Sequence, residues 1–128
     1  MKTHDNEILI YCDPTSSVDK KVLAYARTIS PHVKEVDYNK DPMTPSMMRS
    51  VLIEMELRPK DLLNRAHPYY QKHIQGRDFN YEGWLNIIVR NPELIKAPIA
   101  IKGKKVVLCD NPTNIYQLVE LEKNTNKY

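Results

Sequence analysis

Two thiols, Cys12 and Cys109, and a hydroxyl-rich turn, Thr15-Ser16-Ser17, are the residues of this 128-residue chain on which nucleophilic or redox chemistry would draw. The thiols are far apart in sequence. They lack both the two-residue spacing of a dithiol motif and the paired spacing of a zinc site, so neither a disulfide framework nor a metal centre is supported. The histidines His4, His32, His67 and His73 show no i, i+4 ligand pair, and surface solvation explains them. Cys12 closes an apolar run, the position of a core thiol, although its place beside the turn keeps a redox-sensing role open. Ser16, with Asp19 three residues later, reads as the cap of a helix, and no basic partner that would make it a nucleophile can be identified. A helix starting there aims the N–H groups of Ser16, Ser17 and Val18 at the turn, with Lys20 in its first turn, a place for weak binding of a small anion such as phosphate. Trp84 falls on an apolar helical stripe and reads as core, whereas Tyr69 and Tyr70 are open to either a core or a partner-binding role.

The elements that must hold these residues follow from periodicity. Ile8-Leu9-Ile10-Tyr11-Cys12 is a continuous apolar run expected to form a central strand, ended by Asp13-Pro14. Val18, Val22, Leu23, Ala26 and Ile29 mark the buried stripe of a first helix, closed by Pro31. A second strand from about Val33 to Tyr38 completes a β-α-β unit, whose crossover implies parallel strands. Thr44-Pro45 caps and opens a helix carrying Met48, Leu52 and Met55. A short helical turn is expected from Pro59 to Leu63, then a linker through Pro68-Tyr69-Tyr70 to Gly76. Trp84, Leu85, Ile87 and Ile88 define another helix, ended by Asn91-Pro92. Pro98-Ile99-Ala100-Ile101 and Val106-Val107-Leu108 form an antiparallel hairpin through Lys102-Gly103-Lys104. Asn111-Pro112 starts a last helix that carries Ile115, Leu118 and Val119 and runs towards Glu122, before a polar tail from Asn124 to Tyr128. The order β-α-β, helices, β-β-α is that of an α/β, thioredoxin-like domain with a four-stranded mixed sheet. It spans residues 1–128 as one domain, with a helical insertion at about 44–92. In such a sheet a strand would lie between Cys12 and Cys109 and keep them too far apart for a disulfide.

Composition narrows the function classes. With 41% hydrophobic and 27% charged residues, the chain can fill one core but not two of ordinary size. It has no membrane-length apolar run and no apolar leader after Met1, so a cytoplasmic location without membrane association is expected. The net charge of +3 is spread along the chain. Its densest group, Lys102, Lys104 and Lys105 around Gly103, reads as the solvated tip of a hairpin, and direct nucleic-acid binding is not expected.

Three segments resemble the arsenate reductase and Spx-type regulator family, over nearly the whole chain. They are Ile10-Tyr11-Cys12-Asp13-Pro14-Thr15-Ser16-Ser17, Leu62-Leu63-Asn64-Arg65 with Pro68-Tyr69, and Asn91-Pro92-Glu93-Leu94-Ile95-Lys96-Ala97-Pro98-Ile99. By this resemblance Ser16 stands at the position of the catalytic cysteine and Cys12 at that of a histidine. Ala97 and Asp110 stand where the reductases carry arginines, and Arg65 stands nearest a third, which adds it to the anion-binding set. The resemblance also implies a cis peptide bond at Pro98 after Ala97. A serine hydroxyl cannot ionise as a thiol does, nor cycle through a mixed disulfide, and an oxyanion needs cations to hold it. The expectation is therefore a non-catalytic binding or regulatory protein that has lost arsenate reduction and needs no cofactor. Its partner would be another protein, for which the resemblance suggests RNA polymerase. The alternative is a thiol-dependent oxidoreductase, an arsenate reductase or a glutathione-linked enzyme, acting through Cys12.

Overall fold

The unbroken apolar run near the start forms β1 (Glu7–Cys12), with Ile8 through Cys12 all buried. In the computed structural model, which describes residues 7–119, β1 lies inside a four-stranded sheet of order β2-β1-β3-β4. β2 (His32–Asp37) runs parallel to β1, with Ile8 opposite Val33 and Ile10 opposite Glu35. β3 (Ile99–Lys102) pairs antiparallel with the other side of β1, Ile10 facing Ala100, and β4 (Lys105–Leu108) pairs antiparallel with β3. The fold is thus α/β with a mixed sheet, as expected. β2 is an edge strand whose His32, Lys34 and Glu35 are exposed, and charges of this kind discourage edge-to-edge pairing. Between β3 and β4, Gly103 takes φ 61° at the first turn position, which a side chain would oppose.

Alternate residues of the strands face one cluster: Ile8, Ile10 and Cys12 of β1 and Ala100 of β3 meet Val22, Leu23 and Ala26 of α1 (Ser17–Ile29), together with Ile115 and Leu118. The helix departs from the expected stripe at its start. Val18 is 53% exposed, and Asp19 is buried in its place at 9%. Both Val18 and Asp19 fit a helical period with Val22. Side chains lean towards the helix N-terminus, so a first-turn residue is placed by the loop it overhangs rather than by the sheet below.

The described residues form two compact units, one of residues 7–37 with 97–119, the other Tyr38–Lys96. The second unit is helical. Its α2 (Pro45–Met55) is capped by Thr44, whose Oγ1 accepts the Met47 N–H at 3.1 Å, and buries Met48, Val51 and Leu52, with Met55 at the margin. A 3-10 turn, Pro59–Leu62, follows. The expected linker instead contains α3 (Pro68–His73), capped by His67 Nδ1, which accepts the Tyr69 N–H at 3.1 Å. Six residues are too few to display a stripe, and Pro68 at the first helical position was the available sign. In α4 (Tyr81–Arg90), Trp84, Leu85 and Ile88 are buried, and the helix packs on α2 and on the 3-10 turn. An isolated antiparallel bridge joins Leu63 to Ile95: Asn64 N–H donates to Leu94 C=O at 2.7 Å and Lys96 N–H to Leu62 C=O at 2.8 Å.

Two expectations are corrected. The Ala97–Pro98 bond is trans, since no described bond is cis. Trans is the ordinary state of an X-Pro bond by about 0.5–1 kcal/mol, and the cis expectation rests on resemblance, with no local signal of its own. The last helix opens as a 3-10 turn, Pro112–Tyr116, because Asn111 Oδ1 accepts the Thr113 N–H at 3.0 Å while Asn114 Oδ1 accepts the Asn111 N–H at 2.7 Å, tightening the first turn. Glu122 and the tail from Asn124 to Tyr128 lie outside the described residues. Among those described, no helix is long and apolar enough to cross a membrane.

Candidate functional site

The turn between β1 and α1 is built by its own side chains. Ser16 N–H donates to Asp13 C=O at 3.0 Å, closing a turn with Pro14 at its second position, where fixed φ suits it. Asp13 Oδ1 accepts from Thr15 N–H at 2.9 Å and from Thr15 Oγ1 at 2.6 Å. Ser16 caps α1: its Oγ accepts the Asp19 N–H at 3.3 Å and donates to Asp19 Oδ1 at 3.4 Å. In an ordinary capping box the third helical side chain would return to the cap residue's own N–H. Here Asp19 reaches further and its Oδ2 accepts the Asp13 N–H at 2.9 Å. The loop therefore folds around a carboxylate of its own.

Asp19 is the loop residue that sequence reasoning undervalued. Burial raises its pKa above the ordinary carboxylate range, with a smaller rise from the Asp13 charge, while hydrogen bonds from the Asp13 N–H and Ser16 hydroxyl oppose the shift. Its three-residue spacing from Ser16 was visible; that the side chain would be turned inwards was not. Because folding favours its protonated form, Asp19 contributes stability that is present below 3.8 and is lost as pH rises through its raised folded value. Its charged form is the one that burial disfavours. Asp19→Asn preserves an acceptor for the Asp13 N–H and offers Ser16 a donor. Its melting temperature at pH 7 is expected to exceed that of the unmodified protein by a few degrees, an advantage that shrinks in acid. A variant less stable at pH 7 would show that the hydrogen bonds outweigh the buried charge.

Cys12 and Cys109 are fully buried in the same cluster and are free thiols. Tyr11 faces Ile99 and Ile99 faces Leu108, so the register continued by one residue places Pro98 between Cys12 and Cys109 in one row. Cys109 N–H donates to Pro98 C=O at 2.8 Å. Two strand steps of about 4.8 Å separate the cysteines by more than a disulfide spans. Burial first, then the charges of Asp19, Glu35, Asp37 and Asp13, pushes the Cys12 thiol from 9.0 up to about 12. Burial, Asp110 and Asp19 push Cys109 to about 12 as well. Helix N-termini and cations lower thiol pKa values, but in this loop burial and carboxylates act more strongly in the opposite direction.

The remaining candidates divide between the two units. Of the expected anion donors, Ser16 N–H is taken by Asp13, which leaves those of Ser17 and Val18 at the helix end; Lys20 is exposed. Ala97 is buried and Asp110 exposed. Arg65 belongs to the helical unit, exposed in the turn after Leu63. There Tyr70 is buried, Tyr69 is 41% exposed and lies 4.7 Å from the His73 ring, and Trp84 is in the core as expected.

Residues 11–118 match the model of the ArsC family. The fold is shared with a solved putative arsenate reductase from Yersinia pestis, at 21% identity and a TM-score of 0.77, covering 88% of this chain and 98% of that one. An arsenate reductase from Vibrio cholerae is similar at 16% identity and a TM-score of 0.75, covering 91% and 98%. An arsenate reductase related protein from Brucella melitensis is similar at 16% identity and a TM-score of 0.67, covering 92% and 98%. No curated protein matches the chain. The thioredoxin-like assignment thus stands with Pro98 in the trans form.

Proposed function

Because the chain belongs to the ArsC family, we propose that it is a member that has exchanged arsenate reduction for binding, a cytoplasmic regulatory or adaptor protein working through protein contacts. In this reading Ser16 occupies the family's cysteine position, and Ala97 and Asp110 replace two arginines. The observation that carries it is the loop's own chemistry. Ser16 Oγ is held in a cap with the buried Asp19 carboxylate, and both thiols are pushed up to about 12. Arsenate reduction needs an ionised nucleophile at neutral pH and cations around a doubly charged oxyanion. A carboxylate cannot deprotonate an alcohol appreciably, and Asp13 and Asp19 repel the substrate. The geometry lends the alternative, catalysis through Cys12 with glutathione, no support, since that thiol is buried and protonated.

The test is reductase turnover with arsenate and glutathione–glutaredoxin or thioredoxin as donor. No activity above background is expected, and Ser16→Cys alone is expected to restore none, because the carboxylates remain and both guanidinium groups are still missing. Robust turnover by the unmodified protein would overturn the proposal. Co-elution with purified RNA polymerase tests the partner suggested by resemblance. Weak anion binding is also part of the reading, now confined to Ser17 and Val18. Phosphate should shift these two amide signals at millimolar concentrations, and no shift by about 50 mM would remove anion binding from the account.

A further inference from the structure

The helical unit carries a concave site distant in sequence from Ser16. The 3-10 turn Pro59–Leu62 and the start of α4 enclose a cleft of about 320 Å³, open to solvent and lined by Arg58, Lys60, Asp78, Phe79, Tyr81 and Trp84, with Pro59 between the two cations. Its apolar wall is aromatic. Phe79 meets Trp84 edge to face, with centroids 5.0 Å apart at 82°. Asn80 caps α4 through Gly83, and a Cβ on Gly83 would come within 2.9 Å of Phe79 Cβ, so the glycine permits this close seat. Tyr81 is 41% exposed at the rim.

The cations are placed on the rings. Lys60 Nζ lies 5.5 Å over Trp84 and the Arg77 guanidinium 5.1 Å over Phe79. Among the described residues Arg58, Lys60 and Arg77 have no carboxylate within bridging distance, whereas nearby Arg49 pairs with Glu82 at 2.7 Å. Asp61, which stands close by in sequence, accepts the Arg58 backbone N–H at 2.8 Å. Two cations, Arg58 and Lys60, and one carboxylate, Asp78, therefore line an aromatic hollow, with Arg77 beside it over Phe79. A cavity of this size is at the lower end for drug-sized ligands, which bury most of their surface. It suits a single planar side chain set in a pocket with charged neighbours at the rim, the arrangement of a binding hot spot.

We propose that this cleft receives an acidic peptide segment of a partner protein, an aromatic side chain entering the hollow and flanking carboxylates pairing with Arg58 and Lys60. Arg77, held over Phe79, extends the positive rim. The proposal deepens the binding reading above by giving the partner's chemistry. It uses residues of Tyr38–Lys96 and a direct binding measurement, so its failure is distinct from a positive reductase assay.

Trp84 is the sole tryptophan, so its fluorescence in the full-length protein reports the cleft. The probe is the acetylated, amidated peptide Glu-Asp-Phe-Asp-Glu. Its comparators are Glu-Asp-Ala-Asp-Glu, Lys-Arg-Phe-Arg-Lys, N-acetylphenylalanine and oligothymidylate. Saturable change with the acidic Phe peptide alone is expected below about 1 mM, weakening as salt rises. Arg58→Ser with Lys60→Ser should weaken it by about fivefold or more, because both side chains are exposed and each pair contributes modestly. Circular dichroism checks the variant's fold, and Lys60→Gln, which should weaken binding less, serves if the double variant unfolds. No response by about 5 mM, an equal response to the alanine or basic peptide, or affinity unchanged by the substitutions would overturn the proposal. A stronger response to N-acetylphenylalanine would assign the cleft to a small molecule instead, and a stronger one to oligothymidylate would assign it to nucleic acid.

Discussion

Alkylation of Cys12 and Cys109 in the folded protein is expected to be at least about a thousandfold slower near pH 8 than in the unfolded chain. The reacting species is the thiolate, and a rise from 9.0 to about 12 lowers its fraction by roughly that factor before access is considered. Access adds to the protection, since both residues are 0% exposed. Mass spectrometry after timed iodoacetamide labelling, with and without denaturant, measures the ratio. Fast modification of native Cys12 would revive the redox alternative. The same shifts predict the alkaline limb of stability. Folding favours the protonated thiols, so their contribution is complete below 9.0 and declines as pH rises from 9.0 towards about 12. The unfolded chain loses these protons first, at a cost of about 1.4 kcal/mol per thiol per pH unit in that window.

Ile10→Ala should cost about 3 kcal/mol in chemical denaturation, a substantial part of what holds a domain of this size together. Ile10 is fully buried on β1, between Glu35 on one neighbouring strand and Ala100 on the other, and faces the cluster beneath α1. Its removal leaves a cavity that the hydrogen-bonded strands on both sides cannot readily close. Lys34→Ala, at an exposed position on the edge strand, is the control and should change stability by no more than about 0.5 kcal/mol. A loss below about 1 kcal/mol for Ile10→Ala would mean that the site collapses freely and that the core does not depend on this row.

Much of the framework was legible because its signals are local. The run from Ile8 to Cys12 can be satisfied by burial as a strand, Ser16, Thr44 and Asn111 each cap the turn that follows them, and Gly103 permits a tight hairpin. The strand beginning near Val33 was displaced by one residue, from His32 to Asp37, because edge strands carry weak patterning. α3 was missed because six residues with two adjacent tyrosines display no period. The cis bond at Pro98 was inferred from likeness and is absent, since the residues on either side do not themselves specify the isomer.

The candidate site divides along the same line. The sequence alone determined which groups stand in the β1–α1 loop: a serine at the cap, a cysteine at the strand end, two aspartates and no arginine. Tertiary structure decided what those groups are worth. It turned Asp19 inwards where Val18 would have filled the same stripe, buried Cys12 and Cys109 in one row beside Pro98, and gathered carboxylates from β2 around the first thiol. It also brought Lys60 over Trp84. Ionisation and cleft formation depend on the surroundings of a side chain in space, assembled from segments far apart in the chain, and so they are decided at the level of packing.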